Sequence, residues 1–157
     1  PPMFVDVVNV TSAADMADVV KSKAAEQDII IMTAAVADFC PSHPADEKIK
    51  KNDSSYESVI ELERTEDILS YLGAHKAKGQ LICGFSMETQ NMLENSKAKL
   101  AKKNADMIVA SNLKVAGAGF GTDTNVVTLI TADECTELEI MDKSCVAARI
   151  MDRLLQM

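Results

Sequence analysis

A chain of 157 residues, 47% of them hydrophobic, is of single-domain size and can bury a core. Its 16 basic and 24 acidic residues leave a formal net charge of -8, which excludes a general phosphate-backbone binder, since such a protein needs a basic face. No apolar run approaches the roughly 18 residues that span a bilayer, and PPMFVDVV lacks the basic-then-apolar order of a signal peptide, so a soluble, cytoplasmic protein that engages neither membrane nor nucleic acid is expected.

FVDVVNV, residues 4–10, reads as a buried strand, and TSAADMADVVKSKAAEQ, residues 11–27, as a helix with Ser12 at the N-cap and Asp15 three residues on, a capping-box spacing. DIIIMTAAV, residues 28–36, is a second continuous apolar strand. Strand, helix, strand with nearly unbroken apolar strands is the pattern of a parallel sheet covered on both faces. SVIELE at 58–63 alternates as a strand does, and TEDILSYLGAHK at 65–76 reads as a short helix capped by Thr65. QLICGFS at 80–86 and DMIVAS at 106–111 are further strands, with the helical NMLENSKAKLAKK at 91–103 between them. NVVTLIT at 125–131 and the shorter ELEIM at 137–141 suggest a β-hairpin, and SCVAARIMDRLL at 144–155 closes the chain as an amphipathic helix. The expectation is a single α/β domain over residues 1–157: Rossmann-like, three-layered, with a mainly parallel central sheet and a C-terminal β-hairpin region.

Cys40, Cys83, Cys135 and Cys145 include no CxxC pair, and His43 and His75 sit at no ligand-like spacing from them, so reduced thiols and no metal site are expected. AGAGFGTDTN, residues 116–125, is the glycine-dense stretch, but it leads into a β-branched strand instead of opening a helix, which disfavours a dinucleotide fingerprint. At the strand tips, AAVAD at 34–38 combines small residues, which let a ligand approach the backbone, with a carboxylate; GFSMET at 84–89 adds an aromatic that can flank a ring. Lys99 and Lys103, four apart, share one side of a helix whose buried stripe is expected at Leu93 and Leu100, while Lys102 points away. The stretch from Phe39 to Ser55 reads as a long loop carrying Lys48-Ile49-Lys50-Lys51, a candidate lid over an anion as much as an exposed linker.

Taken in order, AAVADF, KIKK, TEDIL, GFSMET, the lysine helix and GAGFGTDTN resemble the phosphopantothenoylcysteine synthetase family, found as a domain of the bacterial bifunctional coenzyme A biosynthesis protein. The resemblance covers nearly the whole chain but lacks the family's N-terminal glycine-rich segment, which implies a truncated domain with little activity alone. It implies a ligase that joins 4'-phosphopantothenate to L-cysteine, activating the acid with CTP and Mg²⁺ as an acyl-cytidylate and releasing CMP and pyrophosphate. FMN would belong to a fused phosphopantothenoylcysteine decarboxylase domain outside this chain. The resemblance further implies a homodimer formed through GAGFGTDTN and NVVTLIT, Lys48 as the catalytic lid lysine, and Ala34 and Ala35 against the substrate. It gives the nucleotide to Asp38, Lys48, Glu66, Asp67, Ile68, Leu69, Phe85, Lys99 and Lys103. The alternative carried beside it is a non-catalytic nucleotide-binding or dimerisation module of the same fold.

Overall fold

The structure, a computed structural model, describes residues 3–45, 47–48, 59–88, 91–112 and 121–157. In chain order its elements are α1 (Ala13–Ala24), β1 (Ile29–Met32), β2 (Phe39–Pro41), β3 (Leu62–Arg64), α2 (Ile68–Ala74), β4 (Leu81–Glu88), α3 (Met92–Lys103), β5 (Met107–Asn112), β6 (Thr124–Asn125), β7 (Val127–Ile130), β8 (Cys135–Glu137), β9 (Met141–Asp142) and α4 (Lys143–Leu154). Five strands form the central sheet in the order β1-β4-β5-β7-β8. β1, β4 and β5 run parallel, and β7 and β8 add an antiparallel half.

Alternation along the strands sorts the core into two faces. Cys83, Met107, Val109, Val127 and Leu129 pack against Val146, Ile150 and Leu154, which recur every fourth residue along α4. On the other face Ile82 meets Ala17 of α1 with Ile68 and Leu72 of α2, and Ile108, Ala110 and Ile130 meet Leu100 of α3. The result is the three-layer α/β arrangement read from the sequence. Helix α1 begins with the capping box at Ser12 and Asp15: the Asp15 N–H donates to the Ser12 hydroxyl at 3.1 Å, and the Ser12 N–H donates to the Asp15 carboxylate at 2.9 Å. Its C-terminal end is tied to the sheet by buried Gln80, whose amide donates to the carbonyls of Ala24 at 2.7 Å and Gln27 at 2.6 Å.

Several local expectations are corrected. Residues 4–10 form no strand, and Val5, Val7, Val8 and Val10 stay exposed, because β-branched character supplies no ladder partner. Of the described residues of the 58–63 stretch, Leu62 and Glu63 enter β3, which lies outside the central sheet, pairing antiparallel with β2. The first residues of the expected long loop, Phe39–Pro41, are therefore a strand. Helix α2 is capped by Asp67, whose carboxylate accepts from the Ser70 N–H at 2.9 Å, and not by Thr65. The partner of β7 is Cys135–Glu137, ahead of most of ELEIM. Of the expected α3 stripe, Leu100 is buried but Leu93 is exposed; Ser96 takes the inner place, its hydroxyl 2.8 Å from that of buried Ser86.

Candidate ligand-binding site

Parallel strands leave their carboxyl ends free of the helices that follow, and ligands of open α/β sheets collect there. In this chain β1 ends at Met32 and runs into the tip Ala34–Asp38, beside β4 with Phe85. The Thr65 N–H donates to the Asp38 carbonyl at 2.9 Å, which brings the lead into α2 alongside the tip. Gly84 lets α2 close down: a Cβ there would stand 2.7 Å from Leu69 Cδ2 and 3.1 Å from Ile108 Cδ1. These contacts line a half-open cavity of about 180 Å³ at the strand ends.

Nine of the expected site residues line it: Ala34, Asp38, Glu66, Asp67, Ile68, Leu69, Phe85, Lys99 and Lys103. Met32, Val36, Ala37 and Thr65 complete the lining. Two expected residues do not. Ala35 is exposed and is not among the lining residues, although its neighbours Ala34 and Val36 are. Lys48 is exposed and contributes nothing to the lining, and Ile49 to Lys51 lie outside the described residues, as do residues 116–120 of the glycine-dense stretch.

The two helix lysines differ in their partners. Lys99 Nζ donates to the Phe85 carbonyl at 2.8 Å, a neutral acceptor, so its charge is undiminished. Lys103 Nζ pairs with Asp67 Oδ2. Burial alone would raise the Asp67 carboxyl, but the hydrogen bonds from Lys103 and from the Ser70 N–H outweigh it and hold it below the ordinary carboxylate value. Glu66 pairs with Lys21 of α1, which also lies over the Tyr71 ring at 5.0 Å. Asp38 has no ion-pair or side-chain hydrogen-bond partner among the described residues.

Thr65 is the residue sequence reading misplaced. Its Oγ1 is buried beside the cavity and makes no hydrogen bond among the described residues, a condition a ligand acceptor or donor would relieve. Cys83, by contrast, is no candidate nucleophile: burial, with Asp106 nearby, pushes its thiol up to about 12. Among the described residues no helix is long and apolar enough to cross a membrane.

The family model that matches is the DNA/pantothenate metabolism flavoprotein C-terminal domain, over residues 1–157. The coenzyme A biosynthesis bifunctional protein CoaBC of Bacillus subtilis (strain 168) is 45% identical over 155 residues, 98% of this chain and 37% of that protein. A cysteine/cysteine sulfinic acid decarboxylase from an unknown prokaryotic organism is 44% identical over 152 residues, 96% of this chain and 42% of the relative. The chain thus spans about two fifths of the length of these relatives. Among solved structures, the C-terminal domain of a coenzyme A biosynthesis bifunctional protein CoaBC superposes with a TM-score of 0.79 at 41% identity, covering 99% of this chain and 69% of that one.

These findings correct the functional expectations. The family is described as that of a flavoprotein and a 44% identical relative is named as a decarboxylase, so the CTP-dependent ligase activity and its enzyme class do not stand. CTP and Mg²⁺ as cofactors, with FMN assigned to a domain elsewhere, are overturned by the same flavoprotein description. The partner set of CTP, 4'-phosphopantothenate and L-cysteine belongs to ligation and is corrected with it. For the flavin that the description implies, the donor set fits the phosphate, through Lys99 and Lys103; its ring would find Phe85 as the one aromatic among the lining residues.

Proposed function

The chain belongs to the DNA/pantothenate metabolism flavoprotein C-terminal domain family, and on that premise we propose that residues 1–157 form one domain of a cytoplasmic coenzyme A biosynthesis protein whose strand-end cavity binds a phosphate-bearing pantothenoyl-cysteine compound. The observation that carries this reading is the pairing of Lys99 and Lys103 on one helix side with Phe85 and the small strand tip at Ala34 and Ala37. Two ammonium groups suit a phosphate, and the apolar lining from Met32, Val36, Ile68 and Leu69 suits an uncharged linker. Thr65 Oγ1 supplies a hydroxyl for an amide or hydroxyl of that linker. A mutant Cab2 of the same fold, at 16% identity and a TM-score of 0.69, is in complex with phosphopantothenate-cysteine, a compound with a phosphate at one end and a cysteinyl carboxylate at the other. The decarboxylase name of the 44% identical relative agrees with a ligand that ends in such a carboxylate.

Calorimetric titration of phosphopantothenate-cysteine and of its dephosphorylated form into this chain tests the reading. Loss of the phosphate should weaken binding at least about tenfold, since charge-assisted hydrogen bonds contribute roughly 1.5–3 kcal/mol each. Equal affinities for the two compounds, or no binding of either, would overturn it.

A further inference from the structure

We propose that the Asp67 carboxylate is a built-in competitor for the ligand's phosphate: it holds Lys103 when the cavity is empty and must release it when an anion enters. This inference rests on the reading of the cavity as a phosphate-bearing ligand's site and adds the residue that sets its affinity.

Charge bookkeeping around the cavity motivates it. Lys21, Lys99 and Lys103 face Asp38, Glu66 and Asp67, so three ammonium groups are offset by three carboxylates. An arriving phosphate therefore meets no net positive charge. The imbalance can be lifted at one place without dismantling the site. Glu66 is held by Lys21, and Lys99 already donates to a neutral carbonyl.

Asp67 divides its two oxygens between two tasks. Oδ1 accepts from the Ser70 N–H at 2.9 Å and so caps α2, while Oδ2 pairs with Lys103. Giving up Lys103 leaves the cap in place. The exposures favour the exchange: the Lys103 side chain is only 15% exposed and needs an anionic partner to offset its lost hydration, whereas Asp67 at 49% can be rehydrated where it stands. A phosphate oxygen then substitutes for Oδ2 with little movement of the ammonium group. Asp67 thus acts as a positioning residue: it keeps Lys103 aimed into the cavity before the ligand arrives, and it opposes ligands too weakly charged to displace it.

The test uses Asp67→Asn, which keeps an oxygen to cap Ser70 and removes the charge. Calorimetry on the 157-residue chain would compare wild type, Asp67→Asn, Lys103→Gln and the double variant, with inorganic pyrophosphate and with phosphopantothenate-cysteine as probes. Asp67→Asn should bind both probes about three- to fivefold more tightly, the scale of a half-exposed ion pair. That gain should disappear in the Lys103→Gln background, which a merely structural role for Asp67 would not predict. Unchanged or weaker binding by Asp67→Asn, while wild type still binds phosphopantothenate-cysteine, would overturn the competitor role and leave the site assignment standing. Failure of wild type and variant alike to bind either probe would overturn both.

Discussion

Gly73→Ala should lower the stability of the chain by about 2 kcal/mol and loosen the cavity at the same time. Gly73 is buried in α2 where that helix crosses the end of α3, and a Cβ there would lie 1.8 Å from the Lys103 carbonyl oxygen and 2.9 Å from its carbon. Both are backbone atoms, so no rotamer change relieves the clash and the two helices must separate. The separation breaks the bond from Asn104 Nδ2 to the Gly73 carbonyl, now 2.7 Å, and moves Lys103, the residue next to Asn104, relative to Asp67. Alanine is the better helix former by about 1 kcal/mol. That gain only partly offsets an overpacking penalty of roughly 1–3 kcal/mol together with a hydrogen bond of about 1 kcal/mol. Urea unfolding checks the result: a lower midpoint with an unchanged slope is expected. A midpoint equal to or above that of wild type would mean that α2 and α3 do not approach this closely.

Lys99→Met should weaken phosphopantothenate-cysteine binding about 10- to 100-fold, the range of one charge-assisted hydrogen bond, while altering thermal stability little. Methionine keeps an unbranched apolar stem and removes the ammonium group. Lys102→Met serves as the control, because Lys102 is exposed and takes no part in the cavity lining. Equal losses in the two variants would point to a diffuse charge effect; a loss confined to Lys99 locates the anion at the cavity.

The residues that were legible in the sequence are those whose role is set locally. Ser12 and Asp15 announce a helix start because the capping bonds span only three residues. Lys99 and Lys103 fall on one side because helical spacing decides it, and the small strand tip at 34–38 is visible as composition. What long-range contacts decide was hidden. Thr65 looks like a helix cap, yet its N–H goes to Asp38, 27 positions earlier, and this shifts the cap to Asp67 and leaves the hydroxyl beside the cavity. Leu93 looks like a core residue; a serine is inside instead, because Ser86 on the neighbouring strand offers it a buried partner. The valines of 4–10 carry every local mark of a strand and lack only a neighbour to pair with. The chemistry attached to the fold by resemblance was less secure than the placement of the side chains, since one fold hosts different activities and the relatives' names changed that part of the reading.

The most direct test of the central claim, that the strand-end cavity takes the phosphate-bearing ligand, is nuclear magnetic resonance mapping during a titration with phosphopantothenate-cysteine. Amide shifts should concentrate at Asp38, Thr65, Asp67, Phe85, Lys99 and Lys103, with little change along the open groove between β8 and α4 lined by Glu134, Thr136 and Arg149. Shifts confined to that groove, or none at the cavity residues at saturating ligand, would contradict it.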